Sequence, residues 1–285
     1  MINDKMAKVN PTLYDLMDSA HILVAGTTGA GKSVLMNAML YSRLKGDSAY
    51  FSDREQMAEI NLIDTKRVGL LAWKNWPNVF IRQTEPEKVA DELDFLIECM
   101  EGVYWRMEQR GLEETDEHHV YIVIDELADL VSEKGVLERL VKIGRLGRAA
   151  HYHLFCGTQD PSRTTLSAQL MQNFTCRIAL RTKDETESKQ IIGHPDAKYI
   201  TEYGRAIVDC NGRIGWISFD MVPRADIDNL VESTRKACNW YKWMISKPTL
   251  MERLTRKRKK FSNYLYEECM DPVYIDNILL NKASL

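Results

Sequence analysis

The sequence predicts an α/β fold: a mainly parallel central sheet flanked by helices on both faces, followed by a helical C-terminal tail. Three observations predict it. Short apolar runs alternate with segments of three- and four-residue apolar spacing, the strand–helix order that builds a parallel sheet. The apolar runs carry no clean period of two, as expected of strands covered on both faces. The first run ends in Gly26-Thr27-Thr28-Gly29-Ala30-Gly31-Lys32-Ser33, a full match to G-x-x-x-x-G-K-[ST] between a strand and a helix.

The elements follow in order. Residues 1–19 are mixed and polar, a lead-in helix or arm. His21–Ala25 is a short apolar run ending at glycine, hence a buried strand. Residues 32–44 have helical spacing, and 59–64 and 78–82 read as strands. A long helix runs from 86 to about 109, with Pro86 and nearby acids suited to its start. After an acidic, polar loop (113–119), Val120–Ile124 is a buried strand followed by Asp125 and Glu126. A basic helix spans 135–149, and strands follow at 152–157 and 176–180. A helix after Asp184 leads to strands near 205–208 and 213–219. Composition shifts near 222–226, which divides the chain into an arm (1–19), a main α/β domain (20–224) and a basic helical tail (225–285). The tail holds 11 Lys/Arg against 8 Asp/Glu, including six basic residues in the eight from Arg253 to Lys260.

Composition narrows the function classes. The 285 residues are 45% hydrophobic and 28% charged, values of an ordinary globular protein. A net charge of −3 excludes a globally basic nucleic-acid binder, so any such contact is local. No apolar run approaches the roughly 18–20 residues of a membrane span, and the N-terminus carries no secretion-type segment. The six cysteines (99, 156, 176, 210, 238, 269) form no CxxC pair and suit reduced thiols in a cytoplasmic protein.

The glycine-rich octapeptide carries a definite chemistry. Glycines let the backbone close around phosphates, whose charge is held by N–H groups and a helix N-terminus. Lys32 then reaches the β and γ phosphates, and Ser33 ligates Mg²⁺. Asp125, at the end of an apolar strand about 90 residues later, supplies the second Mg²⁺ ligand, and Glu126 activates the attacking water. The second acid favours repeated nucleotide hydrolysis. No [NT]-K-x-D guanine-reading motif is present, so ATP is expected over GTP.

Five ordered blocks within residues 20–220 resemble the motor domain of the FtsK/SpoIIIE DNA translocases. His21 to Met39 is similar to the family's A-G-T-T-G-[SA]-G-K-S block, and Ile63-Asp-Thr-Lys66 to I-D-P-K. Ile122 to Leu130 is similar to V-V-D-E-[FL]-A-D-L. Arg148 to Ser162 is similar to R-A-x-G-I-H-L-[VI]-x-A-T-Q-R-P-S, and Gln172 to Ala179 to K-x-N-[IF]-x-x-R-I-A. The resemblance implies a RecA-like P-loop NTPase that forms a homo-hexameric ring and drives double-stranded DNA through its centre using ATP and Mg²⁺. It implies that Gln159 senses the γ-phosphate. It makes Arg177 the first choice, and Arg148 the second, for an arginine finger supplied to the neighbouring subunit; the alternative for either is an ordinary salt bridge. Asp160 and His151 depart from the family's usual Arg and Gly.

Large family members also carry membrane helices, a linker and a winged-helix module, none of which is evident here. The expectation is therefore a motor alone, without membrane insertion, serving plasmid, integrative-element or phage DNA transfer. A relaxase, replication or transfer protein is then a possible partner. The competing expectations are a related ATPase that moves protein in secretion, and a non-motor nucleotide-dependent regulator. Candidate DNA contacts are the loop 160–168 with Arg163, the row Arg139, Lys142 and Arg145 at steps of three, and the 253–260 cluster. Each has the alternative of a solvated basic face. Trp240, Tyr241 and Trp243 are expected to pack the tail against the core.

Overall fold

The computed structural model of the chain describes residues 11–50, 58–115, 117–162 and 165–237. Arg163, the 253–260 cluster and Trp240, Tyr241 and Trp243 lie outside the described residues. Helix α1 (Leu13–Met17) opens on a capping box, with the Thr12 hydroxyl accepting from the Asp15 N–H. Strand β1 (His21–Ala25) leads through the glycine-rich turn into α2 (Lys32–Tyr50). Strands β2 (Glu59–Ile63) and β3 (Val79–Gln83) precede a 3-10 turn at Pro86–Lys88 and helix α3 (Val89–Arg110). Gly111, in the left-handed region at φ 64°, ends α3. Then come β4 (Val120–Ile124), α4 (Val136–Leu146) and β5 (Tyr152–Thr158). The short α5 (Ala168–Met171) precedes β6 (Cys176–Ala179) and α6 (Glu185–Ile192). A hairpin of β7 (Arg205–Cys210) and β8 (Arg213–Ser218) is followed by α7 (Arg224–Ala237).

The eight strands form one sheet in the order β3-β2-β4-β5-β1-β6-β7-β8. From β3 to β6 every pairing is parallel, as expected. Strand β7 is antiparallel to both of its neighbours. Asn211 and Gly212, both left-handed at φ 53° and 78°, close that hairpin, and a two-residue connection allows no parallel crossover.

Along β1, β4 and β5 both faces of the sheet are buried, which explains the missing period of two there, while β8 at the edge alternates exposed and buried residues. On one face, Ile22, Val24, Val123 and Phe155 pack with Leu35, Met36 and Met39 of α2 and with Ile227 and Val231 of α7. On the other, Leu23, Ile122 and Leu154 meet α3 and α4 through Leu93, Leu96, Leu140 and Ile143. The first helix of the expected tail is thus part of the core.

At the end of the sheet where β1, β4 and β5 begin, His21 and His153 are buried and His119 is half-buried. His153 Nδ1 faces the Ala20 carbonyl at 3.0 Å, and its Nε2 lies 2.8 Å from His119 Nδ1. The carbonyl places the His153 proton on Nδ1, so His119 donates between them. His21 Nδ1 accepts the Leu154 N–H. Burial holds His21 and His153 down at about 4 and His119 at about 2; the Ser19 and Ala20 carbonyls oppose it at His153, and the Arg43 charge adds to it at His153 and His119. These rings are neutral in the fold and titrate near their usual value of about 6.5 once unfolded. The unfolded chain therefore binds more protons below that pH, so stability is retained above it and falls as pH drops toward about 4. Urea midpoints at about pH 7.5 and pH 5 are expected to differ, the acidic one lower. Replacing His119 with Gln is expected to narrow the difference.

Candidate active site at the phosphate loop

Strand β1 lies between β5 and β6, so the glycine-rich turn leaves the middle of the sheet. Gly26 has no room for a side chain, since a Cβ there would lie 2.7 Å from the Leu180 Cβ. Gly29 and Gly31 hold φ of 78° and 100°, conformations that favour glycine. The Thr27 N–H donates to the Arg181 carbonyl at 3.0 Å, and the Ala30 N–H to the Thr27 carbonyl at 3.0 Å, fixing the turn from both sides.

The register brings the chemistry to this turn. Ile63 pairs with Ile124, and Ile124 with Cys156, so Asp64, Asp125 and Gly157 leave adjacent strands side by side. Lys32 Nζ donates to the Asp125 carbonyl (2.8 Å) and to Glu126 Oε2 (2.9 Å). Lys66 Nζ also reaches Glu126 Oε2, at 3.1 Å. The Gln159 N–H holds Glu126 Oε1 at 2.8 Å, while Gln159 Oε1 accepts the Thr28 hydroxyl at 2.6 Å. Gln159 thereby joins the phosphate loop to the glutamate. Gly157 has no room for a side chain: a Cβ there would lie 2.5 Å from the Asp125 carbonyl oxygen, 2.8 Å from Met36 Sδ and 3.1 Å from Lys32 Cδ.

The two acids differ in environment. Burial pushes the Asp125 carboxyl above its usual range, Lys32 opposes this and Asp64 adds to it. Burial also acts to raise Glu126, but the charge and hydrogen bond of Lys32, the Gln159 N–H and Lys66 together bring it below the usual range. Glu126 is therefore an anion at neutral pH.

The residues fit a nucleotide and its cation. Ser33 Oγ donates to Asp125 Oδ1 at 3.3 Å, so a hydroxyl and a carboxylate converge beside the turn, hard oxygen ligands suited to Mg²⁺. Asp64 Oδ1 is buried nearby with no hydrogen-bond partner, while its Oδ2 accepts the Leu70 N–H at 3.0 Å. Among the described residues no three His, Cys, Asp or Glu side chains form a metal cage. A cation here would be completed by phosphate and water, the usual habit of Mg²⁺.

The predicted arginines lie elsewhere. Arg177 sits on β6, two residues before its end, and its Nη2 donates to Asp209 Oδ2 at 3.1 Å. Arg148 is exposed in the turn between α4 and β5, at the sheet edge opposite the phosphate loop. Arg139 makes a bidentate pair with Asp94 of α3 at 2.7 and 2.6 Å, and Lys142 pairs with Glu101 of α3. Two members of the predicted basic row thus face acids of their own chain, and Arg145 is exposed. Asp160 folds back on its own loop, accepting the Thr165 hydroxyl at 2.6 Å and the Ser162 N–H at 3.0 Å.

Sequence reasoning assigned no site role to Lys66, Asp64 or Gly157. The spacing Asp64-x-Lys66 after an apolar run was a visible signal, but only the strand order sets it beside Asp125 and Glu126.

A family model described as the FtsK/SpoIIIE family matches residues 3–206. The DNA translocase FtsK of Chlorobaculum tepidum is 31% identical over 212 residues, 67% of this chain and 26% of that protein. Its counterpart in Staphylococcus epidermidis is 31% identical over 225 residues, 71% of this chain and 28% of that protein. The chain thus spans about a quarter of the length of these curated relatives. Among solved structures, the pCW3 conjugation coupling protein TcpA with ATPγS aligns at TM-score 0.66 and 22% identity, covering 82% of this chain and 71% of that one. The cytoplasmic domain of the Thermomonospora curvata type VII secretion ATPase EccC aligns at TM-score 0.61 and 21% identity, covering 75% and 28%. These two likenesses concern the fold: a mainly parallel sheet flanked by helices. Among the described residues no helix is long and apolar enough to cross a membrane.

Proposed function

The chain belongs to the FtsK/SpoIIIE family, and from that premise we propose that it is an ATP-hydrolysing, ring-forming DNA translocase. The observation that carries this reading is the convergence of Lys32, Ser33, Asp125 and Glu126 on one glycine turn, with Glu126 held as an anion. Bound Mg²⁺–ATP would supply the phosphoryl group and the charge that these side chains are built to hold. Gly26, Thr27, Thr28 and Ala30 shape the turn, the N–H groups of Gly29 and Gly31 are the backbone donors to phosphate oxygens, and Lys32 neutralises their charge. Ser33 and Asp125 hold the cation. Glu126 orients a water and takes its proton on the carboxylate. Gln159 senses the γ-phosphate, since its two hydrogen bonds tie the loop to that base.

In a homo-hexamer, Arg177 or Arg148 reaches the neighbouring subunit's nucleotide, and duplex DNA passes through the central channel in contact by its phosphates. For Arg177 this requires exchanging Asp209 for phosphate. The reading places the chain in the cytoplasm, moving plasmid, integrative-element or phage DNA handed over by a relaxase, replication or transfer protein.

Lys66 has a role in this scheme. When Lys32 serves phosphate, Lys66 is the remaining cation on buried Glu126. A charged hydrogen bond contributes about 1.5–3 kcal/mol. Lys66→Ala is therefore expected to lower kcat about ten- to a hundredfold with little change in nucleotide affinity, and Lys66→Arg to retain most activity. Steady-state kinetics beside nucleotide titration checks this; an unchanged kcat contradicts it.

The functional reading is tested by ATP turnover with no polymer, duplex DNA or single-stranded DNA at two salt concentrations, beside Lys32→Ala. Strong stimulation by duplex, weakened by salt and absent in the variant, is expected. Stimulation by single strands alone redirects the motor to one strand. Turnover indifferent to both overturns the DNA reading and points to a protein substrate.

A further inference from the structure

We propose that Cys176 and Cys210 form an oxidisable dithiol, a modification site that hydroperoxides convert to an intrachain disulfide joining β6 to β7. The register makes the pair. Cys176 lies opposite Cys210 across the antiparallel β6–β7 ladder. The Asn211 N–H donates to the Thr175 carbonyl at 2.9 Å, so the 175/211 pair is hydrogen-bonded and the next pair, Cys176 and Cys210, is not. Non-hydrogen-bonded pairs bring Cα atoms to about 4.5 Å with side chains on the same face. That separation lies inside the disulfide window of about 4.4–6.8 Å. Oxidation therefore needs no strand to slide.

The two thiols differ in a way that assigns their roles. Cys176 is fully buried, whereas Cys210 is partly open to solvent. The Ser19 hydroxyl lies 3.6 Å from Cys210 Sγ, within reach of a hydrogen bond to a thiolate. The hydrogen bond from Cys176 leads the effects that bring Cys210 down to about 6, against the opposing effect of burial, and the same contact pushes Cys176 up. Asp209 opposes a Cys210 thiolate and Arg213 favours it. Cys210 is thus the accessible nucleophile and Cys176 the resolving thiol.

The step balances with a hydroperoxide as oxidant. The Cys210 thiolate attacks one peroxide oxygen, the O–O bond breaks, and the departing alkoxide or hydroxide takes up a proton and leaves as alcohol or water. Cys210 is left as a sulfenic acid. Cys176 sulfur then attacks Cys210 sulfur, the S–O bond breaks, and the departing hydroxide takes the Cys176 proton and leaves as water. The dithiol loses two electrons and two protons, and the peroxide is reduced. The bond forms beside Arg177 and its partner Asp209.

Peptide mapping of the full chain tests this. Trypsin releases Cys176 in peptide 164–177 and Cys210 in peptide 206–213. After brief exposure to hydrogen peroxide, these two peptides are expected to appear cross-linked and to separate again with dithiothreitol. In Cys176→Ser, dimedone is expected to trap a sulfenic acid on Cys210; in Cys210→Ser, Cys176 stays unmodified. At neutral pH Cys210 is expected to oxidise at least about fivefold faster than Cys99. Separate peptides in the oxidised wild-type chain, or cross-links to another cysteine in preference, overturn the proposal. The wild-type map decides the matter even where a serine variant does not fold.

Discussion

Glu126→Gln is expected to lower ATP turnover by about a hundred- to ten-thousandfold while nucleotide binding survives. Glutamine fills the same volume but accepts no proton, and positioned general bases contribute about 10²–10⁴ in rate. The site makes the separation of binding from chemistry clear. Glu126 Oε2 is shared by two lysines, and neither backbone anchor, the Gln159 N–H nor the Asp125 carbonyl, depends on its charge. Removing the anion frees Lys32 from its ion pair, so affinity for nucleotide is expected to hold or rise. Fluorescent-nucleotide titration beside steady-state turnover reads both quantities. Turnover within tenfold of wild type would assign the base elsewhere.

The largest expected effect on stability lies at Arg43, where α1, α2 and Tyr121 of β4 pack together. Arg43 of α2 is almost fully buried, pairs with buried Asp47 at 3.0 Å, and also reaches Asp18. Its guanidinium lies 5.0 Å from the Tyr14 ring centroid and 5.9 Å from that of Tyr121. Arg43→Ala leaves the Asp47 carboxylate uncompensated, a change that costs about 3–5 kcal/mol. Substituting Asp47→Leu together with Arg43→Met is expected to recover most of that loss, because an apolar pair replaces the ions without leaving a lone charge. Denaturant unfolding of the single and double variants measures it. Equal stability of Arg43→Ala and wild type contradicts the pairing.

The contiguous parts of the site were legible in the sequence. Gly26 to Ser33 is one octapeptide, and β1 and β4 take the bounds that their apolar runs indicate. Local chemistry specifies such elements, so one window of sequence contains the signal. The rest depends on which strands become neighbours. Lys66 meets Glu126 because β2 pairs with β4, which no local window encodes. The row Arg139–Lys142 has the spacing of a solvated or DNA-binding face, yet it pairs with α3, some forty residues earlier in the chain. Helix α2 runs six residues past the expected 44, through Gly46, where the Tyr14 ring packs against the helix in place of a side chain. The direction of β7 and β8 had a local signal in Asn211-Gly212, the dipeptide favoured in two-residue hairpins.

Displacement of a triplex-forming oligonucleotide from duplex DNA tests the central claim most directly, because it reports movement and not only hydrolysis. With ATP, the full chain is expected to release the third strand from linear duplex, and to release none with ATPγS or in the Glu126→Gln variant. Robust ATP turnover on duplex with the triplex left in place would contradict translocation and leave a DNA-stimulated ATPase that does not travel.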